Sequence, residues 1–322
     1  MLNNIQALRA FAAINVVLFH VIGISSAYSQ GASALEFLRG WGDNGVDVFF
    51  VISGFVMLHT QFQKSRSPWE FLKNRVVRIV PLYWLLTLFV VSLLVFLPSV
   101  FRGGVPEPLW LASSLLFVSS VVAGKMPVVF LGWTIEWEMF FYVLFAVGLF
   151  FRNPRFQIAF VAFVLAAFVA FTGKLIVLDF LLGMLVACVF QQKKLTRFHG
   201  MVAFAMGAVL LLASISPAVK ALGMNRFVLW GLPSFLLVLG LVHCQQLKSR
   251  LLAYLGDASY SIYLVQMLTI SGFYKFSSRF LTTWNGNLLA VACLAASVIF
   301  GCLVHSFIEK PTTVKLRKVL AQ

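Results

Sequence analysis

Arg9 and His20 stand eleven positions apart inside an apolar run, Ile5 to Gly23. At 100° per residue that separation is three turns plus about 20°, which puts both on one helical face roughly 16 Å apart. An imidazole there can take up and return a proton, and a guanidinium can hold an anion or stabilise developing negative charge. Ionisable groups at membrane depth are costly unless they face a protein interior or water, so such a stripe reads as functional. Two plainer uses compete with that reading. Arg9 is only a turn inside the run and could snorkel to the headgroups, and His20 could be a hydrogen-bonded structural histidine.

Four other segments carry chemistry. Asn44 to Phe55 contains Asp47, which either orients an imidazole or caps the helix it opens. Arg75 and Arg78, three apart, are neighbours on one helical face. Their guanidinium forks suit the diphosphate and 3′-phosphate of coenzyme A, or they anchor the chain on anionic lipid. Trp133 to Tyr142 holds two carboxylates, Glu136 and Glu138, about 200° apart on a helix. Thr134, Glu138 and Tyr142 share an i, i+4, i+8 stripe, which favours Glu138 as the pocket member and leaves Glu136 nearer the outer surface. Counted from the outer end, Glu138 and His20 lie at similar depths. Ser259, Tyr263 and Gln266 form a further stripe, fit to bind a sugar or pantetheine, or to join helices. His59, His199, His243 and His305 show neither HxxxH spacing nor carboxylate pairing, and no metal site is expected. Cys188, Cys244, Cys293 and Cys302 fall in apolar runs without CxxC spacing.

The elements that must position these residues follow from composition. Hydrophobic residues make up 61% of the 322 and charged ones 11%, against roughly 45–50% and about 25% in soluble domains. Apolar runs of spanning length recur along almost the whole chain. The expected fold is all-α: one polytopic membrane helix bundle over residues 1–322. Ten transmembrane helices are expected near 7–27, 45–62, 78–97, 129–151, 156–172, 175–191, 202–219, 226–244, 255–275 and 287–308. Leu109 to Val122 is too short for a span and reads as interfacial or re-entrant. The first run lacks a basic stretch before it and reads as retained rather than as a signal peptide. The net charge of +15 sits at helix ends, as the positive-inside rule requires, and does not point to nucleic acid. With both termini cytoplasmic, the outer connections carry about half as many basic residues as the inner ones.

Together these segments resemble the acyltransferase 3 family of bacterial integral-membrane acyltransferases, from Ile5-Gln6-Ala7-Leu8-Arg9-Ala10 to Glu309-Lys310-Pro311. The family's arginine-ten-residues-histidine pattern falls on Arg9 and His20. Its Gly-Val-Asp-x-Phe-Phe-x-x-Ser-Gly-Phe segment falls on Gly45 to Phe55 and its paired arginines on Arg75 and Arg78. Its Trp-Ser-Leu-x-x-Glu-x-x-Phe-Tyr segment falls on Trp133 to Tyr142, with Thr134 and Ile135 as departures. The Trp-Thr-Ile-Glu-Trp-Glu variant and the short length are similar to the exopolysaccharide O-acetyltransferase branch. Where relatives often carry histidine this chain has Gln266, which cannot act as a base.

The resemblance implies transfer of acetyl from acetyl-CoA, or another acyl-CoA, to a hydroxyl of an exopolysaccharide, O-antigen or lipid-linked glycan at the bacterial inner membrane. No permanently bound cofactor is implied. His20 would be the base, oriented by Glu138 or Asp47, with Arg9 holding polar groups or developing charge. Arg75 and Arg78 would hold the donor, and Trp133, Glu136, Tyr142, Tyr263 and Gln266 the acceptor. A variant passes the acetyl group through His20 itself. The rival from another class is a transporter or flippase for an acylated or anionic small molecule, because intramembrane charges also mark transport pathways.

Overall fold

A backbone in lipid must satisfy its own hydrogen bonds, and the helix does so within one segment. The computed structural model describes residues 2–97 and 104–320, and all regular structure among them is helical. In chain order the helices are α1 (Asn3–Ser25), α2 (Asn44–Gln63), α3 (Pro68–Phe96), α4 (Pro108–Leu115), α5 (Ser119–Val122), α6 (Gly132–Gly148) and α7 (Pro154–Thr172). They continue with α8 (Leu178–Gln192), α9 (Arg197–Ala213), α10 (Pro217–Lys220), α11 (Leu232–His243), α12 (Arg250–Phe280), α13 (Gly286–Val304) and α14 (Lys310–Val319). Starts are written locally. Ser67 accepts from the Glu70 amide with Pro68 at the first position, Asn153 precedes Pro154 in the same way, and Thr196 and Ser249 cap α9 and α12.

Each of the ten expected spans overlaps a helix, the one near 202–219 running from α9 past its end at Ala213 into α10. Among the described residues, six stretches are both long and apolar enough to cross a membrane: Asn3–Tyr28, Trp41–Gln63, Pro68–Phe96, Pro154–Thr172, Leu175–Gln192 and Gly286–Val319. Arg197–Ala213 and Phe227–His243 are apolar but shorter. Large exposed apolar side chains such as Phe163, Phe171 and Val209 are what a lipid-facing surface requires. The stretch from Leu109 to Val122 breaks into α4 and α5, with Phe117 in a left-handed conformation (φ 60°) between them.

The chain divides into two compact units: residues 1–66 with 151–302, and residues 67–150 with 303–322. In the first, α1 packs against α12 and α2, α2 against α8, and α9 against α11. The α2–α8 crossing has almost no space between backbones. A methyl group on Gly54 would overlap the Phe180 carbonyl, and one on Gly183 would overlap that of Val51. Small residues let membrane helices approach this closely. Gly54→Ala is therefore expected to cost about 1–3 kcal/mol through forced separation, seen as a lowered unfolding midpoint in detergent. In the second unit, α3 packs on α6, on α14 and on the π-helical turn His305–Glu309 that leads into α14.

Candidate functional site

Four polar side chains on different faces of α1, Asn4, Gln6, Arg9 and Asn15, are buried within the first unit. Arg9 is turned into the protein at 8% exposure, with its Nη1 donating to Gln6 Oε1 at 3.0 Å. Gln6 Nε2 donates in turn to Asp257 Oδ1 on α12. Asn15 Nδ2 donates to Asn44 Oδ1 at 2.9 Å, tying α1 to the start of α2. His20 is half-buried, with the Phe19 ring edge-on at 4.7 Å between centroids. Among the described residues no group hydrogen-bonds the imidazole, so both ring nitrogens can serve a ligand.

Asp47 is 0% exposed and is held from both sides of its carboxylate by one arginine. Arg226 donates from Nε to Oδ1 at 3.1 Å and from Nη2 to Oδ2 at 2.7 Å. The same guanidinium binds Asp43, through Nη1 to Oδ2 and through Nη2 to the main-chain oxygen at 2.9 Å. Its carbon lies 4.9 Å from the Trp230 ring centroid. A third carboxyl group, Asp179 on α8, is fully buried and faces that of Asp47. Among the described residues no N–H or hydroxyl donates to either Asp179 oxygen. Asp43, Asp179 and Arg226 were not among the residues singled out from sequence. Asp179 carried a usable signal, being a lone carboxylate in an apolar run. Arg226 carried none, since a charge at the edge of a run reads as a boundary.

On α12, Tyr263 is buried with Phe49 edge-on at 6.0 Å, and Gln266 is fully buried. Gln266 Nε2 donates to the Tyr263 carbonyl at 2.9 Å, while its Oε1 accepts no bond among the described residues. That oxygen can accept a hydrogen bond from a hydroxyl.

The second unit gathers the remaining residues. The Arg75 guanidinium carbon lies 5.5 Å from the Phe71 ring centroid and 5.8 Å from that of Tyr142, whose hydroxyl donates to Glu138 Oε1. The i, i+4 stripe on α6 thus meets the arginine of α3. Arg78 lines a small cleft with Glu309, Thr312 and Thr313. Trp133 is half-buried on α6. Glu136 is buried and accepts from the Ser119 amide at 2.8 Å, the Ser119 hydroxyl at 2.6 Å, the Ser120 amide at 3.3 Å and the Ser120 hydroxyl. Its carboxylate ties α5 to α6. His305 corrects the expectation of no carboxylate pairing: its Nδ1 is 2.8 Å from Glu309 Oε2, an i, i+4 pair brought together by helix periodicity.

The acyltransferase 3 family model, described as an acyltransferase domain, matches residues 2–306. The chain is 34% identical to exopolysaccharide production protein ExoZ of Rhizobium meliloti (strain 1021) over 297 residues, covering 84% of this chain and 89% of that protein. It is 26% identical to acyltransferase MdmB of Streptomyces mycarofaciens, covering 96% of this chain and 91% of that one. No solved structure matches it.

Proposed function

The chain belongs to the acyltransferase 3 family, and from that membership we propose that it moves acetyl from acetyl-CoA to a hydroxyl of an exopolysaccharide. The observation that carries the chemistry is the His20 imidazole, set in a membrane-length apolar helix with no protein group on its nitrogens among the described residues. Similarity to a protein named for exopolysaccharide production supports the acceptor class. The bacterial inner membrane, ten spans and cytoplasmic termini belong to the same proposal, supported by the helix pattern and the charge asymmetry.

In this mechanism His20 accepts the proton of a sugar hydroxyl while that oxygen bonds to the thioester carbonyl carbon. The carbon–sulfur bond then breaks, and the departing thiolate recovers the proton from the imidazolium. Arg9 supplies positive charge on the same helix. Gln266 Oε1 and Tyr263 accept hydrogen bonds from acceptor hydroxyls; Trp133, in the second unit, offers a separate stacking surface. Arg75 and Arg78 hold donor phosphates, and the Tyr142–Glu138 pair beside Arg75 keeps that guanidinium in place.

The test is acetyl transfer from radiolabelled acetyl-CoA to purified exopolysaccharide by the full chain in proteoliposomes. Label appearing in the polysaccharide supports the reading; movement of the acceptor without label replaces it with transport. In this assay Arg78→Ala is expected to raise KM for acetyl-CoA about 10- to 100-fold with little change in kcat, as loss of a charge-assisted bond to phosphate demands.

A further inference from the structure

We infer that the cleft between α3 and α14 receives the 3′-phosphate of coenzyme A, with Thr312 and Thr313 donating to it beside Arg78. This rests on the reading of Arg78 as a donor-binding residue and deepens it, adding a second wall to the site from the end of the chain.

The cleft lies within the second unit. Arg78 reaches it from α3 and Thr312 and Thr313 from α14, with Leu82, Leu85 and Ile308 as apolar lining. Arg78 is half-buried, and among the described residues no group accepts from its guanidinium. The two threonines are idle in the same way. Inside a helix a threonine hydroxyl commonly bonds a carbonyl three or four residues back, and Thr60, Thr87, Thr134, Thr172 and Thr269 all do so. Thr312 and Thr313 make no such bond among the described residues, although both stand in α14.

One unpaired guanidinium and two unused hydroxyls thus line a single cleft, and all three are donors. A planar carboxylate is satisfied by an arginine fork alone. A tetrahedral phosphate has oxygens left over for a second wall. Glu309 lines the cleft too, with its Oε2 2.8 Å from His305 Nδ1. Its carboxylate offsets part of the Arg78 charge, so directed bonds from the hydroxyls have to supply what charge alone does not. The cleft is small and its apolar lining closes around the polar groups, which leaves room for one terminal phosphoryl group. In coenzyme A only the 3′-phosphate is terminal. The diphosphate continues on both sides and is left to Arg75.

The experiment is equilibrium dialysis of radiolabelled coenzyme A and of 3′-dephospho-coenzyme A against the full chain in detergent. Native mass spectrometry of retained phosphatidylglycerol runs alongside. The double variant Thr312→Val with Thr313→Val keeps the shape and breaks no bond within the protein, so its unfolding midpoint stays at the wild-type value. Its Kd for coenzyme A is expected to rise about tenfold or more, the loss of hydrogen bonds to a charged group. The 3′-dephospho compound binds wild type and variant alike, and Thr312→Ser with Thr313→Ser retains most of the affinity. An unaltered Kd for coenzyme A in the double valine variant overturns the assignment, as does an equal loss for both compounds. Loss of phosphatidylglycerol with coenzyme A binding unchanged also overturns it, giving the cleft to a lipid phosphate. If binding depends on the 3′-phosphate and on the threonines while wild type transfers no acetyl, the site stands and the acyl-transfer reading falls.

Discussion

His20→Gln loses acetyl transfer by about 10²- to 10⁴-fold, the typical contribution of general-base catalysis, while its unfolding midpoint in detergent stays at the wild-type value. The two halves of that result have separate causes. The rate falls because an amide cannot take the hydroxyl proton. Stability holds because no hydrogen bond to the imidazole exists among the described residues to be broken, and glutamine matches the ring's polarity and approximate reach. Donor binding is unaffected, so KM for acetyl-CoA stays near the wild-type value. Single-turnover kinetics in proteoliposomes measure the rate and circular dichroism on heating measures the fold. A His20→Gln enzyme with normal turnover would remove the imidazole from the mechanism. Rapid-quench labelling of the wild type adds a further distinction, because a relay through the ring leaves label on the His20 peptide and direct transfer leaves none.

Arg226→Ala is expected to destabilise the first unit by about 3–5 kcal/mol, the cost of leaving a buried carboxylate without its partner. Asp47 is 0% exposed and takes hydrogen bonds from the guanidinium on both oxygens, and Asp179 faces it with no donor of its own among the described residues. Truncation leaves these acids side by side in apolar surroundings. The double variant Arg226→Ala with Asp47→Asn should recover part of the loss, because the uncompensated charge has gone. That non-additivity in unfolding free energy is the signature of a direct pair. Additive losses would mean that Arg226 stabilises the unit in some other way.

Much of the local architecture was legible in the residues. Apolar runs of spanning length marked where helices lie, and six of the stretches among the described residues are long and apolar enough to cross a membrane, since a segment in lipid has few alternatives to closing its own backbone bonds. Periodicity also put Thr134, Glu138 and Tyr142 on one stripe, and the Tyr142–Glu138 bond follows that spacing. The break in Leu109 to Val122 was readable as a run too short to span.

Long-range pairings were not legible. Arg226 meets Asp47 across 179 positions and Asp43 across 183, and no local spacing encodes such a meeting. A helical period gives the relative directions of side chains on one helix, but not which neighbour that helix turns them toward. That rotation is set by packing: here by Gly54 and Gly183 letting α2 and α8 touch at the backbone, and by Gly42 letting the turn before α2 lie on α1. Glu136 shows the same limit. Its sequence position suggested a carboxylate near the outer surface, and only the folded chain brings Ser119 and Ser120 around it. By itself the sequence determined that this protein is helical, lies in a membrane and carries Arg9 and His20 on one face. Tertiary structure decided which charges meet, because in an apolar medium an ionised group takes the partner that packing brings to it, at whatever distance along the chain.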